Sequence, residues 1–298
     1  MKFELDTEQA GFAKSLDDLL SKADTPAANR AWATGDHEPG LKLWSRLADL
    51  GVTSLATEAT PVEVSVAFEA IGRHAVPGPW IESAAYLPLA LPATDLSESR
   101  ATVAMPFALD ADVVSDTYAV VDGRLHRATA GARVESVDPT RHLFEVTPGD
   151  SVDAGDLDAA FDLAVLAASA ELLGAGERVL ADAVTYVKQR TQFGRAIGSY
   201  QAIKHQLANV RVALDFARPL VFGAAVDLTP RSASAAKIQS ATAANLAARV
   251  GLQVHGAIGY TEEYDLSLWL LRIRALQSAW GPSSFHRERL LTSLLAAR

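Results

Sequence analysis

The residues best equipped for chemistry lie where one helical pattern gives way to the next: Arg190-Thr191-Gln192-Phe193-Gly194, followed by Arg195. A guanidinium fork offers a pyrophosphate two parallel charge-assisted hydrogen bonds, while Gln192 and Phe193 add an amide and a ring suited to polar edges and planar groups. Taken alone, the same residues equally make a capped interhelical loop with a solvated arginine. A second cluster, Gln253-Val254-His255-Gly256-Ala257-Ile258-Gly259-Tyr260, closes another helical pattern. Its glycines suit a helix C-cap, and they also permit backbone amides to approach a ligand closely.

Other constellations lack what their chemistry needs. Gly174-Ala175-Gly176 has neither a preceding strand nor a third glycine at dinucleotide-binding spacing, so a close helix crossing is expected there. The seven histidines show no metal-ligand spacing, and no metal site is expected. A Gly-x-Ser-x-Gly elbow is absent, and Gly281-Pro282-Ser283-Ser284 reads as a helix start. With no cysteine, thiol nucleophiles and thiolate ligands are excluded, and redox chemistry falls to a bound cofactor. A net charge of −9 and a pI near 5.3 argue against a binder of nucleic acid backbones. No uninterrupted apolar run reaches the roughly 18 residues of a membrane span, and the start lacks a secretory pattern, so the cytoplasm is the expected compartment.

The elements that position these clusters follow from periodicity. Phe12, Leu16, Leu19 and Leu20 form one helical stripe, with Asp6 and Gln9 spaced as a capping box before it. Residues 24 to 40 show no period, helical patterns resume over Leu41 to Gly51 and Val62 to His74, and Val76-Pro77-Gly78-Pro79 breaks the chain. Beyond the polar tract from Pro92 to Arg100 the period shortens toward two. Strands are expected at Thr102 to Phe107, Tyr118 to Val121, Arg124 to His126 across an Asp122-Gly123 turn, and His142 to Val146. From Phe161 onward long helical patterns return, with Ile203, Leu207, Val210 and Leu214 on one face and Pro219 expected to end or kink a helix. The expected fold is mainly α with a small β domain: an N-terminal helical domain over 1–97, a reduced β domain over 98–150, and a C-terminal four-helix bundle over 151–298.

Together, in this order, the two clusters resemble the segments by which acyl-CoA dehydrogenases hold the FAD of a neighbouring subunit. The resemblance extends to Phe161-Asp162, to Leu43-Trp44 through Gly51, and to Phe68-Glu69-Ala70-Ile71-Gly72-Arg73. It implies that Arg190, Gln192 and Phe193 touch the FAD diphosphate and ring system, with Tyr200 and Gln201 nearby. Gln253, Gly256 and Ala257 would cradle the adenosine end.

The same resemblance exposes two departures. Most family members carry the glutamate that removes the substrate's α-proton one residue before a glycine, a position held here by Trp280 in Ala279-Trp280-Gly281-Pro282. A minority place it three residues after the Phe-Asp pair, where Ala164 stands. Neither side chain accepts a proton, so no catalytic residue is assigned. The β segment also lacks the Thr-Glu-Pro-like and Trp-Ile-Thr-like stretches that lie against the flavin. These losses resemble the short, degenerate subunits of α2β2 acyl-CoA dehydrogenases, in which a full-length partner supplies the glutamate and binds most of the acyl-CoA, in known examples often a bulky sterol-derived one. Two alternatives remain: a self-sufficient homo-oligomeric enzyme drawing on Glu262, Glu263 or Asp265, and a non-enzymatic scaffold of the same fold.

Overall fold

The computed structural model describes residues 4–97, 99–261 and 264–296. Six helices open the chain: α1 (Thr7–Ser21), α2 (Thr25–Ala33), α3 (Glu38–Ala48), α4 (Leu55–Glu58), α5 (Pro61–His74) and, after a π-helical turn at Glu82–Tyr86, α6 (Leu87–Ala90). Asp6 and Gln9 close the expected capping box on α1, and Thr60 with Glu63 closes another on α5. Helix α2 lies where the sequence showed no period. Its buried face mixes Ala28 and Trp32 with Thr25 and Asn29, and Asn29 is buried because its amide donates to Thr25 O and Ala75 O. Polar residues on the inner face hide the apolar stripe that periodicity looks for.

Five strands follow: β1 (Ala101–Ala104), β2 (Ala108–Leu109), β3 (Asp116–Val121), β4 (Arg124–Val134) and β5 (Leu143–Ser151). They form one sheet in the order β1-β3-β4-β5-β2, with β1 parallel to β3 and the other pairs antiparallel. Asp122 and Gly123 both take positive φ, 50° and 73°, as a two-residue hairpin turn requires. Strands β4 and β5 run longer than expected because their outer halves are exposed and carry no alternation of burial to read.

The remaining elements are α7 (Leu157–Gln189), a two-stranded ribbon of β6 (Thr191–Gln192) and β7 (Arg195–Ala196), α8 (Gln201–Val226), α9 (Pro230–His255), α10 (Leu266–Leu276) and α11 (Ser283–Ala296). Helix α7 is long and apolar enough to cross a membrane by composition, yet 89% of its most apolar window is buried inside the protein, as befits a core helix. Pro219 does not end α8. The hydrogen bond it forfeits falls on Asp215, on the exposed face of the helix.

Small residues bring the central helices into backbone contact. A Cβ on Gly174 would lie 1.9 Å from Glu69 O, and one on Gly72 would lie 2.0 Å from Glu171 O. The Gly174-Ala175-Gly176 tract is therefore the expected helix crossing, α7 against α5. Arg272 of α10 joins the three regions of the chain. Fully buried, it donates to Asp138 beyond β4 (2.7 Å), to Glu171 of α7 (3.2 Å), to Thr140 (2.9 Å) and to Val76 O beyond α5 (3.3 Å).

Candidate functional site

Successive antiparallel helices set the site. The chain runs along α7, turns through the ribbon, returns along α8 and comes back along α9, so the C-termini of α7 and α9 and the N-terminus of α8 share one end of the bundle. Tyr186 and His255 fasten that end: their rings stack at 4.2 Å and the Tyr186 hydroxyl donates to His255 O at 3.4 Å. Tyr186 precedes Arg190 by one turn and His255 immediately precedes Gly256, so the two clusters singled out in the sequence emerge side by side.

The first cluster is a hairpin rather than an irregular loop. Thr191 pairs with Ala196 and Gln192 with Arg195, leaving Phe193-Gly194 as a two-residue turn with φ of 52° and 79°. The turn thrusts Phe193 outward, 91% exposed. A phenylalanine in left-handed backbone and in water gains nothing from its own fold. Arg190 caps α7 in extended conformation, and its guanidinium makes no ion pair among the described residues. Arg195 lies over the Tyr200 ring at 3.9 Å. Tyr200 precedes α8, whose first residue is Gln201 and whose N-terminus has no side-chain cap. Uncapped amides beside an unpaired guanidinium suit an anion.

In the second cluster Gln253 is exposed on α9, and Gly256 ends that helix at φ 64° with open space where a Cβ would stand. Ala257, Ile258 and Tyr260 are exposed on a 3-10 turn, Tyr260 at 76%. Arg190, Gln192, Phe193, Tyr200, Gln201, Gln253, Gly256 and Ala257 thus occupy one bundle end, with the ring, guanidinium and amides facing outward. That arrangement fits a dinucleotide's diphosphate and rings. A ligand there would lie at an edge and not be enclosed.

The position expected to hold a proton-abstracting carboxylate lies elsewhere, at the turn between α10 and α11. Trp280 is 3% exposed, with its ring 5.3 Å from Tyr86 and 6.0 Å from Phe161. The turn is clamped from beneath. Lys237 of α9, fully buried with no carboxylate on it among the described residues, donates to Leu276 O (3.0 Å) and Gly281 O (3.2 Å), and burial pulls its pKa down to about 7. His286 donates to Trp280 O at 2.9 Å, and burial likewise depresses it to about 4, so its ring is neutral. Ala164 is fully buried on α7, and Asp162 pairs with Arg289 of α11. Of the alternative carboxylates, Asp265 pairs with Arg30 at the surface, while Glu262 and Glu263 lie outside the described residues.

A cavity of about 320 Å³ adjoins Trp280 and is walled by Val103, Met105, Phe107, Arg141 and Glu82 among others. Sequence reading missed Glu82. It sits in the π-helical turn, buried, with Oε2 lacking a hydrogen-bond partner among the described residues, and burial raises its pKa to about 7 against the opposing charge of Arg141. A π-helical turn is a local irregularity common at functional sites, but no sequence pattern announces it.

Comparisons with known proteins give the family and the fold. Residues 157–295 match the family described as acyl-CoA dehydrogenase, C-terminal domain. The chain is 30% identical over 287 residues to the acyl-CoA dehydrogenase IpdE2 of Mycobacterium tuberculosis, covering 89% of this chain and 90% of that one. In fold it is similar to the Tcur3481-Tcur3483 steroid ACAD, with a TM-score of 0.85, 20% identity and coverage of 98% and 99%. It is equally similar to the ChsE4-ChsE5 complex of Mycobacterium tuberculosis, with a TM-score of 0.85, 19% identity and coverage of 99% of each chain. The chain belongs to the acyl-CoA dehydrogenase family.

Proposed function

We propose that this chain is the flavin-completing, non-catalytic subunit of a heteromeric FAD-dependent acyl-CoA dehydrogenase, paired with a full-length subunit in an α2β2 assembly. The observation that carries the reading is the combination of an outward-facing cluster around Arg190 and Phe193 with a tryptophan plug at the position of the base. FAD bound there supplies the hydride acceptor for α,β-dehydrogenation of an acyl-CoA thioester. This chain's own residues bind and orient it. Arg190 and the α8 amides neutralise the diphosphate, Phe193 and Gln192 cover the ring system, and Gly256 and Ala257 admit the adenosine end.

A partner surface is consistent with an uncovered apolar stripe on α8, where Val212, Phe216 and Leu220 recur every four residues and are all exposed. The steroid ACAD and the two-protein complex among the structural neighbours support a bulky, sterol-derived thioester and a heteromeric state. Co-expression with the full-length subunit should give a yellow complex whose flavin-to-protein ratio falls at least about tenfold in Arg190→Ala. Unchanged flavin content would remove Arg190 from the site.

Glu82 favours one competing reading. A carboxyl near pH 7 in the cavity beside Trp280 has the pKa of a general base, and it would make the chain self-sufficient. Isolated protein that reduces an electron acceptor with acyl-CoA, and loses that ability in Glu82→Gln, would establish that reading over the first.

A further inference from the structure

Outside the residues of the flavin cluster, three side chains from distant parts of the chain converge. His37 lies in the turn between α2 and α3, Asp112 in the loop after β2, and His142 just before β5, 105 residues beyond His37. His142 Nδ1 is 3.2 Å from Asp112 Oδ2, His37 Nε2 is 3.4 Å from His142 Nδ1, and His37 Nε2 is 3.6 Å from the same Asp112 oxygen. These are the edges of one small triangle.

Hydrogen bonding does not account for all three edges. Each imidazole nitrogen carries at most one proton, directed along a single line in the ring plane, so two nitrogens and one oxygen leave at least one edge unserved. A divalent ion accounts for all of them. Bonds of about 2.0–2.2 Å in tetrahedral geometry place ligand atoms about 3.3–3.6 Å apart, close to the observed edges. Two imidazoles and one carboxylate form a donor set for zinc and similar borderline first-row ions, with the fourth position open to water. His142 is fully buried and its other nitrogen, Nε2, has no hydrogen-bond partner among the described residues, so the polar contacts of this ring lie on the Nδ1 side, within the triangle.

The surroundings hold the ligands in place before any ion arrives. Asp110, fully buried, accepts from the His142 backbone N–H (3.1 Å) and from Trp32 Nε1 (3.2 Å), and its own N–H donates to His142 O (2.6 Å). The Trp32 ring in turn packs edge-on against His37 at 4.6 Å. One residue therefore fixes the backbone of one histidine and the ring support of the other. His37 and Asp112 are 17% and 30% exposed, which leaves an entry path.

We propose that His37, Asp112 and His142 form a binding site for a zinc-class divalent ion, one that fastens the N-terminal helices to the β segment. The spacing of histidines in sequence did not suggest it, because the ligands come together only through tertiary structure. The test uses tag-free full-length chain, stripped with chelator and dialysed, then titrated calorimetrically with zinc chloride and, in parallel, with cobalt chloride. One equivalent should bind per chain, the thermal midpoint should rise with zinc concentration, and bound cobalt should show the visible absorption of a four-coordinate site. His37→Gln, which leaves the buried His142 untouched and so preserves folding, should weaken binding by at least about 100-fold, as should Asp112→Asn. Less than a tenth of an equivalent bound at micromolar zinc would overturn the proposal, as would stoichiometric binding unchanged in both variants.

Discussion

Replacing Trp280 by alanine separates a structural plug from a ligand contact. The indole is buried and touches Tyr86 and Phe161, so truncation removes on the order of 200 Å² of apolar burial, about 5 kcal/mol at about 25 cal/mol per Å². The neighbouring cavity moderates that figure. Water or shifting side chains reach the new space through it, so the expected loss is near the lower end for a large buried aromatic, about 3 kcal/mol. Trp280 also sits at φ 56°, a conformation that a residue with a Cβ holds at a cost of about 1 kcal/mol. Trp280→Gly is therefore expected to be no less stable than Trp280→Ala, although it removes more side chain. Urea unfolding of the chain gives the stability, and flavin absorbance of the co-expressed complex gives the ligand readout. Both variants should lose stability and keep flavin. A stability loss under 1 kcal/mol, or flavin loss at unchanged stability, would refute the plug and place the indole against a ligand.

Two further substitutions test the frame around the site. Gly174→Ala places a methyl 1.9 Å from Glu69 O, so α5 and α7 must move apart; a loss of at least about 2 kcal/mol and a lowered thermal midpoint are expected, and an unchanged midpoint would contradict the backbone contact. Lys237 has a folded pKa of about 7, below its unfolded value near 10.4, so the unfolded state binds more protons between those limits and stability should rise with pH across them. Wild type should gain on the order of 2 kcal/mol relative to Lys237→Met between pH 7.5 and 9.5, and parallel pH profiles of the two proteins in urea would show that Lys237 keeps its proton.

Legibility in the sequence followed the physics of each element. The Asp6 capping box, the Asp122-Gly123 turn and the α5 stripe rest on local rules, and all three stand in the structure. Helix α2 escaped because Asn29 and Thr25 are buried through hydrogen bonds, which periodicity of apolar residues does not register. Pro219, expected to end or kink a helix, does not end α8, because it falls on a solvent-facing row where a lost hydrogen bond is cheap. At the site, residue types and the order of the clusters pointed to the bundle end, while the tight Phe193-Gly194 turn became visible only once Thr191 paired with Ala196. Glu82 and the His37, Asp112 and His142 triangle were beyond reach, because their neighbours come from separate elements.

Helices α8 and α9 each span 26 residues. The path leaving the ribbon therefore travels about 39 Å away and the same distance back before reaching Gly256. That equality works as a gauge. Adding or deleting one residue in either helix would displace Gln253 to Tyr260 by about 1.5 Å and rotate them by about 100° relative to the ribbon, spoiling the alignment while sparing the core. The spacing between the two clusters is thus a measured length, far less tolerant of insertions than of substitutions along the way.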